Sequence, residues 1–350
     1  MHRRKREARM KVMVTGGAGY LGSHVCVALA SAGYQPVIVD NFSRGSPAVL
    51  ERLALLMDKA PTVERGDLLD TVWLRQMLQQ HQPGCVMHLA NYNGRLETMA
   101  DRLRHLSTTL AMLASVLRAM EAQDIHTLQI ASSAEVYGGS ERALLSEFCT
   151  RRPQSSAGHV HHMVENLLQE MREVNPAWRM AVLRHFNPAG AHVSGLIGDT
   201  AHRYRRRKLL PCLVDACLAP NVSMAVRGWH CPSTDGSLVR DYTHIQDVAE
   251  AHVAALETQL DYGESFCANI GTGQGHSIFE VIDTFERVNR QTVPWHFADS
   301  RNGDLPRQVA QTELAKQLMA WRARRSLDDI CTDAFRWHVT APYDRERLPD

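Results

Sequence analysis

Two hydrophobic periods alternate along the first half of the chain. Residues 11–15 (KVMVT) form a short apolar, β-branched run, followed at once by glycines and then by a segment, 22–32, whose apolar positions recur at helical spacing. The pattern predicts a second strand over 36–39 ending at Asp40, a helix over 51–59, an extended run over 62–64 and a helix over 71–81. A buried-strand pattern (CVMHL) follows at 85–89, then a long helical stretch from about 102 to 122, then another strand at 127–131. Strands and helices in strict alternation imply a parallel sheet covered by helices on both faces. The predicted fold class is α/β, a Rossmann-type doubly wound parallel sheet. From about Asn187 the pattern becomes mixed, which suits a smaller C-terminal mixed α/β domain, and no internal repeat or low-complexity linker interrupts the chain.

Composition narrows the functional classes. The chain has 350 residues, a formal net charge of +1 and 22% charged residues, so no general electrostatic pull toward nucleic acid or membrane is expected. No apolar run approaches the roughly 18 residues of a spanning helix. The 8 cysteines are scattered without a C-x-x-C pair, which argues against a disulfide framework or a zinc knuckle and for a reduced, cytoplasmic setting. Residues 1–10 are basic but lack a signal-peptide core, and are expected to be a solvated tail ahead of the folded part.

The first candidate site is the loop after the first strand. Gly16, Gly19 and Gly22 stand at G-x-x-G-x-x-G spacing between a predicted strand and helix. Glycine permits the sharp turn, close approach of backbone to a pyrophosphate, and tight helix–sheet packing. The free N–H groups of the helix start then face the phosphates. Asp40 ends the next strand, where a carboxylate accepts from both ribose hydroxyls and repels a 2′-phosphate. The expected cofactor is NAD rather than NADP.

The run from Val14 through Gly16, Gly19, Tyr20, Leu21 and Gly22 to His24, with Asp40 and Asn41 after it, resembles the extended short-chain dehydrogenases, and among them the UDP-glucose 4-epimerases. The likeness runs from about residue 11 to the C-terminus. By that resemblance, Asp67 and Leu68 contact adenine, Leu89 and Ala90 end the strand that passes the cofactor, and Ser133 is the catalytic serine. It likewise implies that Asn187, Arg240, Arg301 and Asp304 bind the nucleotide of a UDP-hexose. The implied division is a basic tail over 1–10, an NAD-binding domain over 11–186 with segments near 240–270 returning to it, and a mainly substrate-binding domain over 187–350. The resemblance also implies a homodimer, through the helices around 102–122 and 159–173.

The chain departs from the family pattern where the resemblance places its catalytic Tyr-x-x-x-Lys, because Ala157 and His161 hold those two places. Losing a general base typically costs about 10²–10⁴-fold in rate, so ordinary epimerase turnover is expected to be poor. Asn93, Thr109, His185 and Lys208 also differ from the family pattern that the resemblance implies, around the nicotinamide and sugar ends. His161, one helical turn from Ala157, is a candidate acid–base group. Glu135 resembles the glutamate of related sugar-nucleotide dehydratases. His159, His161, His162, His185 and His192 are expected to gather at one cleft, flanked by a helix over 157–166 and the strand end at 184–187. A metal held by His161, His185 and Glu135 is conceivable from the residue types, but no ligand spacing supports it and none is expected. Tyr92 reads as a packing residue, or less simply as a stand-in phenol. The basic run 203–208 reads as a solvated loop, or as a clamp for a phosphate-rich ligand. The expectation is an NAD-binding, UDP-sugar 4-epimerase-like protein with an altered acid–base centre. Two alternatives stay open: a non-catalytic relative acting through a partner, and a dehydratase or oxidoreductase using Glu135 or His161.

Overall fold

Seven of the apolar runs pair into one parallel sheet. The computed structural model describes residues 10–92, 98–139, 142–199, 208–219, 221–227, 233, 235–299 and 305–340. Strand β1 (Lys11–Thr15) leads into α1 (Tyr20–Ser31), followed by β2 (Gln35–Asp40), α2 (Ala48–Leu56), β3 (Thr62–Arg65), α3 (Thr71–His81), β4 (Cys85–His88), α4 (Met99–Glu121) and β5 (Thr127–Ser133). A 3-10 turn, Ala134–Tyr137, then precedes α5 (Ser156–Val174) and β6 (Arg179–His185). Next come β7 (Asn187–Ala189), α6 (Leu209–Leu218), β8 (Met224–Arg227), β9 (Val239–Arg240) and β10 (Tyr242–His244). Helix α7 (Ile245–Tyr262) and β11 (Phe266–Ile270) return to the large sheet, and β12 (His276–Ser277), α8 (Ile278–Asn289), β13 (Trp295–Ala298), β14 (Arg307–Gln308), α9 (Glu313–Met319) and α10 (Leu327–Thr340) complete the chain.

The large sheet has the order β11-β6-β5-β4-β1-β2-β3. Every adjacent pair is parallel. The order reverses between β1 and β4, the switch point at which such sheets open a ligand crevice beyond their carboxyl ends. Because side chains alternate across a strand, each strand feeds two cores. Met13, Val86, Leu128, Ile130, Met180 and Val182 pack with α3, α4 and α5 on one face. Val12, Val14, Ile38, Cys85 and Met87 pack with α1, α2 and α7 on the other. Ala181 and Leu183 of β6 also turn to the α7 side. A separate core, including Leu213, Val214, Ile282, Phe285 and Cys331, joins α6, α8 and α10 in the later part of the chain.

Helix boundaries depart from the pattern-based ones at their amino ends. Helix α1 begins at Tyr20, because Gly19 has extended backbone and serves as its N-cap. Helix α4 begins at Met99 rather than near 102. Thr98 Oγ1 accepts from the Asp101 N–H at 3.1 Å and Asp101 accepts from the Thr98 N–H at 3.1 Å, a reciprocal cap that starts the helix ahead of its apolar face. Among the described residues no helix is long and apolar enough to cross a membrane.

Candidate active site

The glycine turn closes against the neighbouring strand end with no room to spare. Gly16 has φ +69°, and a Cβ there would sit 2.8 Å from the Ala90 Cα and 2.9 Å from the Ala90 nitrogen. A Cβ on Gly22 would lie 2.1 Å from the Gly16 carbonyl oxygen. Only hydrogen at these positions lets α1 and the 89–90 segment meet. Gly16, Gly19, Tyr20, Leu21, Gly22, Leu89 and Ala90 are thereby gathered at the switch point. Helix α1 has neither a side-chain cap nor an acidic residue in its first turn, so its leading N–H groups keep their positive character for an anion. Thr15, which pattern reading passed over, ties the two strand ends together. Its hydroxyl bonds to His88 Nδ1 at 2.9 Å and accepts from the Ala90 N–H at 3.3 Å.

Asp40 is half-buried at the end of β2, one strand outward. It accepts from the Ala18 N–H at 3.0 Å and from the Phe42 N–H at 2.8 Å. Burial pushes its carboxyl up and these backbone donors pull it back. The Asn41 N–H is a third backbone donor, and the carboxylate's roughly four acceptor sites leave Asp40 able to accept from a diol. Asn41 donates to Asp67 at 3.3 Å, which groups both with Asp40. The Leu68 side chain is a core residue, so only its backbone is available to a ligand.

At the other end of the cleft, Ser133 and His185 lie opposite one another at the carboxyl ends of β5 and β6. Ser133 Oγ accepts from the Glu135 N–H at 3.2 Å. Glu135 is engaged by the Ser155 hydroxyl, and Ser155 Oγ caps α5 by accepting from the Gly158 N–H at 2.9 Å. The Glu135 carboxylate is therefore tied to the start of the helix that carries Ala157 and His161. Both residues are half-buried. Burial lowers the His161 pKa, against the opposing pull of Glu135 and Glu165. His185 is buried and its pKa is brought down to about 3, first by burial and then by the charge of nearby His161. Its Nε2 lies 3.2 Å from Nε2 of His252 on α7.

One turn beyond His161, Glu165 anchors α5 to the sheet. It accepts from Ser132 Oγ at 2.6 Å, from Arg184 Nε at 3.0 Å and Nη2 at 2.7 Å, and from Arg151 at 3.0 Å. Arg184 also donates to Tyr137 Oη at 2.9 Å, which donates to Asn269 at 2.6 Å. The strand period accounts for the grouping: Ser132 and Arg184 share the α5 face, whereas Gln129 and His185 share the α7 face.

The expected convergence of five histidines is only partly realised. His185 feels the charge of His161 and meets His252, which was not anticipated. His159 is exposed and bonds back to the Ser155 carbonyl at 2.8 Å, because successive helical residues face different ways. His162 lies beside Arg151 and Glu165. His192 sits apart, its Nδ1 2.8 Å from Ser194 Oγ and its ring centroid 6.3 Å from that of His24. No group of three or more His, Cys, Asp or Glu able to hold a metal forms among the described residues, so His161, His185 and Glu135 do not assemble as a ligand set. Tyr92 packs near His105, ring centroids 6.2 Å apart.

On the later part of the chain, Asn187 lines a cleft of about 150 Å³ with Tyr20, Gly190, Lys208 and Tyr242. Tyr20 donates to the Gly190 carbonyl at 2.7 Å, and the Lys208 ammonium lies 4.6 Å from the Tyr20 ring centroid and 3.0 Å from Asp199. Arg240 is half-buried in β9. Its neighbour Asp241, fully buried, accepts from the Thr272, Gly273 and Ala310 N–H groups at 2.8, 3.0 and 3.1 Å. That residue, missed by pattern reading, lies between β9 and β10 and fixes the strand that presents Arg240. Arg301, Asp304, Asn93 and residues 203–207 of the basic run lie outside the described residues.

Residues 12–271 match the model of the NAD dependent epimerase/dehydratase family. The chain is 36% identical to a UDP-glucose 4-epimerase of Yersinia pestis over 334 residues, covering 95% of this chain and 98% of that protein. It is 35% identical to the UDP-glucose 4-epimerase of Bacillus subtilis, covering 94% and 96%. Among solved structures, it superposes with a TM-score of 0.92 and 34% identity on a UDP-glucose-4-epimerase from Stenotrophomonas maltophila with bound NAD and formylated UDP-arabinopyranose, covering 96% of this chain and 99% of that one. A UDP-glucose 4-epimerase from Bifidobacterium longum in complex with NAD+ and UDP superposes with a TM-score of 0.89 and 28% identity, covering 95% and 99%.

Proposed function

The chain belongs to the NAD dependent epimerase/dehydratase family, and on that premise we propose that it binds NAD and a UDP-linked sugar around an acid–base centre rebuilt on His161. The observation that carries the NAD part is the glycine turn at the switch point, packed so closely against the Ala90 backbone that a Cβ would clash, which sets the leading N–H groups of α1 beside the carboxyl ends of the strands. Asp40, with spare acceptor capacity beside that turn, suits the ribose diol. NAD, when bound, supplies a hydride acceptor. The chain has to orient the sugar hydroxyl, exclude water and move the hydroxyl proton.

Ala157 has no ionisable group, so the proton falls to a ring nitrogen of His161, one turn further along the same helical face. Because burial lowers its pKa, His161 is neutral near pH 7 and able to accept a proton. Ser133, opposite His185 at the carboxyl end of β5, supplies a hydroxyl to the same end of the cleft, while Glu135 acts through Ser155 by holding the helix start. Asn187 and Arg240 belong to the nucleotide end of the cleft, with Lys208 as an additional cation there. Lysine in the family pattern is permanently charged and imidazole is not, so turnover of ordinary UDP-hexoses is slow. Met99, Leu103 and Met163 leave apolar surface on α4 and α5, which supports association of two copies through those helices.

The test is conversion of UDP-galactose to UDP-glucose by the wild-type protein and by an Ala157→Tyr/His161→Lys double variant, with NAD supplied. Faster conversion by the double variant is expected. Rapid wild-type turnover that survives His161→Ala would refute the rebuilt centre. A protein that binds NAD and UDP-galactose but turns over neither as wild type nor as the double variant would place the divergence beyond these two positions.

A further inference from the structure

Gln129 is a fully buried amide in the middle of the apolar strand β5. Its Nε2 donates to the His252 backbone carbonyl at 3.1 Å and to Gln259 Oε1 at 3.1 Å. Gln259 Nε2 in turn donates to the carbonyls of Leu128 at 3.1 Å and Arg179 at 2.8 Å. Carbonyl oxygens only accept, so both amides have a single possible orientation. Gln129 Oε1 is then the atom 3.0 Å from His252 Nδ1, and that nitrogen must carry hydrogen. A neutral imidazole with Nδ1–H has a lone pair on Nε2. The atom 3.2 Å from it is Nε2 of His185, which must therefore donate. His185 is left with its own lone pair on Nδ1. No described residue donates to that atom, and it is not among the polar atoms sealed from solvent without a partner. Both rings are buried and held neutral, with His185 brought to about 3, so this arrangement persists through neutral pH.

We propose that Nδ1 of His185 is the hydrogen-bond acceptor for a hydroxyl of the bound sugar, and that His252 and Gln129 are positioning residues that lock its tautomer. The proposal rests on the reading that the cleft takes a nucleotide sugar. Placement supports it: His185 ends β6 opposite Ser133, lies within charge reach of His161, and precedes Asn187 by two residues. Two strands, β5 and β4, separate it from β1 and the glycine turn, on the sugar side of the switch point. The chemistry is selective. An atom that can only accept favours a hydroxyl donor and rejects a carbonyl oxygen presented at the same point, because two lone pairs would face each other in a buried site. His185 thus orients a hydroxyl, while the titrating partner remains His161.

The test uses the full-length protein with ¹⁵N-labelled histidine, and UDP-galactose and NAD as probes. Ring-nitrogen NMR is expected to show His185 protonated at Nε2 and His252 at Nδ1, with the Nδ1 resonance of His185 shifting when UDP-galactose binds. By titration calorimetry, His185→Phe should weaken UDP-galactose binding roughly two- to tenfold, the loss of one hydrogen bond, and leave NAD affinity unchanged. His185→Gln, whose amide can donate to His252 and accept from the sugar, should restore most of the loss. Gln129→Leu should mix the tautomers and weaken the sugar alone. The opposite tautomers, an unshifted Nδ1, or unchanged sugar affinity in His185→Phe would overturn the assignment, and so would a loss confined to NAD. If His185→Phe does not fold, the wild-type NMR pair decides. Failure of the wild type to bind UDP-galactose at all, with the tautomers as stated, would instead overturn the nucleotide-sugar reading on which the proposal rests.

Discussion

Replacing Glu165 by Gln tests whether one buried carboxylate fixes the helix that carries the candidate acid–base residue. The carboxylate receives four donors: Ser132 and Arg184 Nε on one oxygen, Arg184 Nη2 and Arg151 on the other. An amide keeps the shape, but one end becomes a donor facing donors, and the buried Arg184 guanidinium loses its counter-charge. Breaking a buried pair from one side typically costs about 3–5 kcal/mol. At the low end of roughly 2–4 °C per kcal/mol for large domains, the melting temperature should fall by about 6–10 °C. Thermal unfolding at pH 7.5, followed by circular dichroism, measures it. A Glu165→Leu/Arg184→Met double variant should lose less than the sum of its single variants, since an apolar pair leaves no buried charge. A shift within about 1 °C for Glu165→Gln, or strictly additive single variants, would show that α5 is held by its apolar face alone. There is also a pH signature. Burial raises the Glu165 pKa, but the bonds from Arg184, Ser132 and Arg151 outweigh it and leave the group depressed. Its contribution is present above the unfolded carboxylate value of about 4.3 and is lost as pH falls through the lower folded value.

Gly16→Ala combines a left-handed backbone, about 1–2 kcal/mol for a residue with a Cβ, with overpacking of about 1–3 kcal/mol against the Ala90 backbone. It should lower the melting temperature and, by displacing the turn from the 89–90 segment, reduce NAD affinity at least tenfold by calorimetry; wild-type affinity would refute the role of this turn in binding NAD. Acid sensitivity should set in well above the carboxylate range. Burial brings His24 and His185 to about 3 and His88 to about 4. Between those values and the unfolded value near 6.5 the unfolded chain binds more protons, so stability is lost as pH falls below about 6.5, by at most about 1.4 kcal/mol per pH unit for each group. Urea midpoints measured from pH 7.5 to 5 check this, and a flat profile would mean that these rings are accessible to protons in the folded state.

Local pattern carried much of this protein. The alternation of β-branched runs with helical periods specifies a doubly wound parallel sheet, and the glycine spacing ahead of α1 specifies where a dinucleotide would lie. Both follow from interactions between residues close in sequence, namely strand pleat, helix period and turn geometry. The Ala157 and His161 positions were singled out by the family resemblance, and helical spacing added only that they share one face. Tertiary structure decided which side chains meet across the sheet. Glu135 proved committed to the Ser155 cap, His159 and His192 turned away from the cleft, and Asp241 emerged as the clasp behind Arg240. The Gln129–His252–His185 chain joins a strand and a helix 123 residues apart in sequence. A glutamine between two apolar neighbours signals a buried polar partner but not its identity. Strand order and face parity supply that identity, because in the interior an amide or an imidazole must be satisfied by whichever element the fold lays against it.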